Sequence, residues 1–113
     1  MTIKIEHISL LKDFYGALLT PKQAETLSLY YEDDWSLAEI AENTGRSRQA
    51  VFDILKRAEE TLENYEQQLG FMDKYANNRQ LLENIESLLN QNDFDKTALA
   101  AARKLVRELK TSI

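Results

Sequence analysis

The chain has 113 residues, with 14 Lys or Arg against 19 Asp or Glu, a formal net charge of −5, a single histidine and no cysteine. That length suits one domain around one core, and the lack of cysteine excludes disulfides, thiol catalysis and cysteine-ligated zinc and points to a reducing cytoplasm. Three glycines and one proline are too few turn residues for hairpins and sheets, so an all-α fold of about six helices is expected.

The N-terminal residues do not read as a leader, because Glu6, His7, Ser9, Lys12 and Asp13 interrupt any apolar run. No stretch approaches membrane-spanning length, so a soluble protein with no membrane partner is expected. The first helix is predicted over about residues 4–19, with Ile8, Leu11, Tyr15 and Leu18 as its inward stripe and Phe14 beside it. Thr20, Pro21 and Gln23 then form a start signal: Thr as cap, Pro in the first turn, Gln returning a bond to the cap. This second helix runs to about Tyr31, with Leu27, Tyr30 and Tyr31 predicted to pack inward. Glu32, Asp33 and Asp34 lead into a loop at Trp35.

The segment SLAEIAENTGRSRQAVFDILKR, residues 36–57, has the pattern of two short helices crossing at a glycine turn. Ser36 and Glu39 make a capping box, so the helix starts at Leu37. Leu37, Ile40 and Ala41 share a face, and the small Ala41 permits a close helix crossing. Gly45 ends that helix by accepting the left-handed conformation. Ser47 caps the next one, whose inner stripe is Val51, Ile54 and Leu55, leaving Arg48, Gln49, Asp53, Lys56 and Arg57 outward. This is a helix-turn-helix, a unit that presents its second helix to nucleic acid.

The helical pattern continues through Leu55, Ala58, Leu62, Tyr65 and Leu69, a coiled-coil-like seam ended by Gly70. Two more helices are predicted at about 72–90 (Met72, Tyr75, Leu82, Ile85, Leu89) and 96–111 (Leu99, Ala102, Leu105, Val106, Leu109), the last capped by Asp95. The organisation is one all-α domain, 1–113, with a helix-turn-helix core at 20–57 and a helical tail at 58–113 serving dimerisation or partner docking.

The acidic balance opposes long-range attraction to a polyanion. Yet residues 36–57 hold four cations (Arg46, Arg48, Lys56, Arg57) against three acids (Glu39, Glu42, Asp53), so the excess negative charge lies elsewhere. The candidate nucleic-acid-binding set is Arg46, Ser47, Arg48, Gln49, Asp53, Lys56 and Arg57. Arg48 and Gln49 lie in the first turn of the second helix, where Arg can pair bidentately with guanine and Gln with adenine. Arg46, Lys56 and Arg57 suit phosphates, which position a protein without specifying sequence. The competing reading is a solvated face, with Asp53 and Arg57 pairing within the helix. Ser36 and Ser47 are caps first. Tyr30, Tyr31 and Trp35 suit either core packing or stacking on unpaired bases.

His7 has no second histidine or cysteine for a metal or catalytic site. The Glu32, Asp33, Asp34 run is most simply a solvated loop. No catalytic residue, metal site or cofactor is assigned, and the chain is read as a non-enzyme.

The blocks DFYGALLTPKQ, LYYEDDWSLAEIAE and SRQAVFDILKRAE, in that order across about residues 10–70, resemble the YlxM family of small bacterial proteins. The motif also resembles the last, promoter-reading domain of sigma factors. The resemblance implies an all-α fold with a sigma-like helix-turn-helix and a regulatory or accessory role in the signal recognition particle pathway, because YlxM-like genes neighbour those of the particle's GTPase or its receptor. It implies DNA as target by motif, the particle's RNA as an alternative, and the GTPase or receptor as a protein partner. A complete sigma factor is not expected, since a preceding core-promoter domain is missing. The tail predicts a homodimer, which sets two recognition helices at a fixed separation. The alternative function is a protein-interaction module that docks on the GTPase without reading nucleic acid.

Overall fold

The computed structural model describes residues 2–91 and 95–112. Those residues are helical and connecting segments with no strand among them, in two compact units, residues 1–70 and 71–113. The first contains α1 (Thr2–Tyr15), α2 (Pro21–Leu27), α3 (Leu37–Thr44) and α4 (Arg48–Leu69). The second contains α5 (Phe71–Leu89) and α6 (Lys96–Ser112).

In the first unit α4 is the spine: α1, α2 and α3 all pack on it. Its inner stripe, Val51, Leu55, Ala58 and Leu62, is buried and meets Ile8, Leu11 and Tyr15 of α1, Leu27 of α2 and Ile40 and Ala41 of α3 in one core. Tyr15 is buried, and its ring stacks on Tyr65 with centroids 6.0 Å apart. Its hydroxyl donates to Glu66 Oε1 at 2.5 Å. The seam from Leu55 to Tyr65 is thus used inside the unit to hold α1, while Leu69 at its end is exposed.

The local start and stop signals operate as the side-chain chemistry dictates. Thr20 Oγ1 accepts the Gln23 N–H and Gln23 Oε1 accepts the Thr20 N–H, both at 3.2 Å. The reciprocal pair at Ser36 and Glu39 measures 3.1 Å in each direction. These boxes satisfy N–H groups that a helix start leaves without partners. Asp95 Oδ1 accepts the Ala98 N–H at 2.9 Å and so caps α6.

Two departures from the sequence pattern have physical causes. The first helix does not run to residue 19: after Tyr15 the chain tightens into a 3-10 turn, Gly16–Leu18. That tighter winding changes the register, so Leu18 is 56% exposed and Leu19, at 9%, takes the inward place. The second helix is α-helical only to Leu27 and widens into a π turn over Ser28–Glu32. Widening rotates Tyr30 outward to 37% exposure, whereas Tyr31 stays half-buried with the two rings edge to face at 5.0 Å. Lys12 of α1 braces the π turn, its Nζ donating to Ser28 Oγ and to Glu32 Oε1, the latter at 2.8 Å. Asp34 then takes a left-handed φ of 58°, and the Trp35 N–H returns to the Leu29 carbonyl at 2.9 Å. Aspartate is among the few non-glycine residues that adopt this conformation readily.

In the second unit α5 and α6 pack together, and Ala98 and Ala102 of α6 are buried. Ser112 Oγ donates to Asn78 Oδ1 at 2.7 Å, tying the end of α6 to α5.

Candidate nucleic-acid interface

The interface is built from the turn upward. α3 ends at Gly45, whose φ of 70° is left-handed, and whose N–H bonds the Ala41 carbonyl. A Cβ built there meets nothing within 4 Å, so the requirement for glycine is conformational and not one of space. The reversal lets the Arg46 N–H bond the Ala41 carbonyl at 3.1 Å. Ser47 follows in extended conformation, and its Oγ accepts the Ala50 N–H at 3.1 Å. α4 therefore starts at Arg48, with its first two turns facing solvent over the width opposite the buried stripe.

Arg48, Gln49, Phe52, Asp53, Lys56 and Arg57 are exposed, and Arg46 is half-buried. Ion pairs among the described residues include Lys4 with Glu59, His7 with Glu63, Lys12 with Glu32 and Arg79 with Glu83. None involves Arg46, Arg48, Lys56 or Arg57, and the alternative pairing of Asp53 with Arg57 does not form. Gln49 Nε2 instead donates to Asp53 Oδ1 at 3.0 Å. An exposed pair of this kind contributes only about 0.2–0.5 kcal/mol, so it yields readily to a base edge. Ser47 keeps its hydroxyl proton free to donate outward while its oxygen serves the cap.

On one side of α4, Arg48 borders a cleft with Tyr30, Trp35 and Leu37, and a shallower one with Leu37, Gln49 and Phe52. Trp35, half-buried, thus stands beside Arg48 in the wall of a cleft. On the same side Tyr31 lies with Lys4, Lys56 and Glu59. Burial, with the Glu59 charge adding to it, pushes the Tyr31 hydroxyl pKa well above the ordinary tyrosine value, so Tyr31 is a neutral wall of the cleft.

Two residues that sequence reasoning passed over stand out. Phe52 is 42% exposed on the outward face between Arg48 and Lys56. Its signal was its position beside Val51 and off the inner stripe. Lys22, from α2, shares a groove with Arg46 and Arg57, a meeting of distant residues that no local pattern encodes. No group of three or more His, Asp or Glu poised to hold a metal occurs among the described residues. None of the described helices is long and apolar enough to cross a membrane.

A capped helix pair that crosses at a left-handed glycine and offers a long second helix, its outward cations unpaired, defines a helix-turn-helix protein. Comparison with known proteins gives the particular family. The chain belongs to the family described as "Putative helix-turn-helix protein, YlxM / p13 like" (UPF0122), which matches residues 3–101. It is 47% identical over 109 residues to UPF0122 protein GK1195 of Geobacillus kaustophilus, covering 96% of each chain. It is 42% identical over 106 residues to UPF0122 protein STH1464 of Symbiobacterium thermophilum, covering 94% of each. With UPF0122 protein lin1916 of Listeria innocua it shares 47% over 91 residues, 80% of this chain and 83% of the relative.

Proposed function

We propose that this protein is a non-enzymatic, cytoplasmic regulator that binds nucleic acid through the outward face of α4. Arg48 and Gln49 read bases, Asp53 accepts from a cytosine amino group, and Ser47, Arg46, Lys56 and Arg57 hold phosphates. The observation that carries this reading is the set of four cations in and beside α4 that form no ion pair among the described residues, in a chain whose net charge is −5. Duplex DNA is the target that the motif favours. The pathway comes from the family resemblance: a role in, or control over, signal recognition particle function, with the particle's RNA as the second nucleic-acid target. The chain acts as a homodimer, and the exposed leucines of α5 and α6 supply the face for the second copy.

The test is crosslinking of tagged protein in cells, followed by sequencing of recovered DNA and RNA beside an Arg48→Ala, Gln49→Ala variant of unchanged circular dichroism. The expected result is a small set of DNA sites, or the particle's RNA, enriched by the wild type and lost in the variant. Equal recovery by both proteins overturns the reading. It would favour the second one, a module that docks on the targeting GTPase or its receptor, which the acidic charge and the exposed Leu82, Leu89 and Leu99 support.

A further inference from the structure

Lys22, Arg46 and Arg57 come from three separate elements and line one groove of about 580 Å³. Lys22 is in the first turn of α2, Arg46 is in the turn before α4, and Arg57 is in the third turn of α4. Ala50 and Ile54 are among the groove's other lining residues, with Thr20 and Gln23 at the end where they form their capping box. The one carboxylate lining it, Asp53, accepts a hydrogen bond from Gln49. None of the three cations forms an ion pair among the described residues.

Three positive groups around one concavity repel one another unless an anion or water screens them. Of the lining residues only Asp53 supplies an anion, one against three cations, and something else supplies the rest. The position of the groove says what does. On α4 its residues are Ala50, Asp53, Ile54 and Arg57, which flank the exposed Gln49, Asp53 and Lys56, so Asp53 belongs to both surfaces. A helix that enters a groove of nucleic acid has a sugar–phosphate strand running along such a flank. The apolar Ala50 and Ile54 match the carbon face of the sugar, and the cations match its phosphates. This combination fits a strand of sugars and phosphates better than a protein segment, which offers no such regular run of charge.

We propose that Lys22, Arg46 and Arg57 form a clamp for the nucleic-acid strand flanking α4, with Lys22 a phosphate-contact residue contributed from outside the helix-turn-helix. The inference rests on the nucleic-acid reading above and deepens it. The shared ligand chemistry is the phosphodiester, carried by DNA and RNA alike.

The experiment is fluorescence anisotropy of the full chain on a labelled, mixed-sequence duplex DNA of two helical turns, and on the RNA duplex of the same sequence, across a KCl titration. The variants are Lys22→Ala, Lys22→Arg, Arg48→Ala and, as a charge control, Lys104→Ala, an exposed cation of α6. Lys22→Ala should keep the fold, because the side chain is exposed and only its backbone carbonyl is engaged, by Thr26 Oγ1. On the duplex that is the true target it should lower the slope of log affinity against log salt by about 0.9 and weaken binding about eightfold near 0.1 M salt. Lys22→Arg should restore both, and Lys104→Ala should change neither slope. Whichever duplex shows the drop names the source of the phosphodiester. An unchanged slope for Lys22→Ala while Arg48→Ala weakens binding overturns the clamp and leaves the nucleic-acid reading standing. An equal drop for Lys104→Ala reduces the effect to net charge and also overturns the clamp. No binding of either duplex by the wild type overturns both.

Discussion

The two units of this chain carry similar leucine periodicity and use it differently. In residues 1–70, three helices surround α4 from different directions, and Leu11, Tyr15, Leu27, Ile40, Val51 and Leu62 are fully buried. In residues 71–113, two helices meet with Ala98 and Ala102 buried, while Leu82, Leu89, Leu99 and Val106 stay exposed. Two cylinders touch only along a line, so a pair of helices encloses small residues at the contact and cannot surround a leucine. A helical stripe therefore states that a face is suited to burial without stating what buries it. The first unit provides its own cover, with α4 held by three other helices. The second leaves an apolar surface suited to association.

The sharpest way to break this contrast is Ile40→Ala. Ile40 is fully buried where α3 crosses α4, and its truncation should cost about 2–5 kcal/mol. Thermal unfolding followed by circular dichroism measures it, and a cost below about 1 kcal/mol would mean that the first unit is not packed as described. Leu82→Glu probes the other side. If a second copy covers this face, sedimentation should move from twice the 13.1 kDa chain mass to that mass itself, because a buried leucine contributes about 1.5–3 kcal/mol. A wild-type chain already monomeric at micromolar concentration would remove the dimer. The smallest effect expected is that of Gly45→Ala, about 1 kcal/mol in the same unfolding measurement, from forcing a left-handed φ on alanine where space is open. A neutral result would show that the turn relaxes, and that the presentation of α4 is less firmly set than the first unit's core suggests.

Much of the motif was legible because its determinants are local. A hydroxyl three residues before a Glu or Gln can close a capping box without help from the rest of the chain, as at Ser36 with Glu39 and Thr20 with Gln23. Gly45 and Gly70 end their helices for an equally local reason, since both take a positive φ that costs glycine little. The inner stripe of α4 followed from 3.6-residue periodicity, except that Ile54 is only half-buried and lines the groove beside Arg57. Other features depend on where a helix loses its regular winding. One tightened turn after Tyr15 exchanged Leu18 for Leu19, and one widened turn after Leu27 moved Tyr30 outward. Gly16, which opens the tightened turn, was a weak local warning, whereas the residues of the widened turn were compatible with continued α-helix and gave none.

By itself, the amino-acid sequence determined the helical class, the capped helix starts at Thr20, Ser36, Ser47 and Asp95, the glycine stops at Gly45 and Gly70, and which residues of α4 face away from its stripe. Each depends on interactions within about one helical turn. Tertiary structure alone decided that the seam of α4 is spent on holding α1 and that Lys22 meets Arg46 and Arg57 in one groove. Those outcomes depend on how helices distant in sequence pack against one another, and packing of that kind is set by the whole core at once.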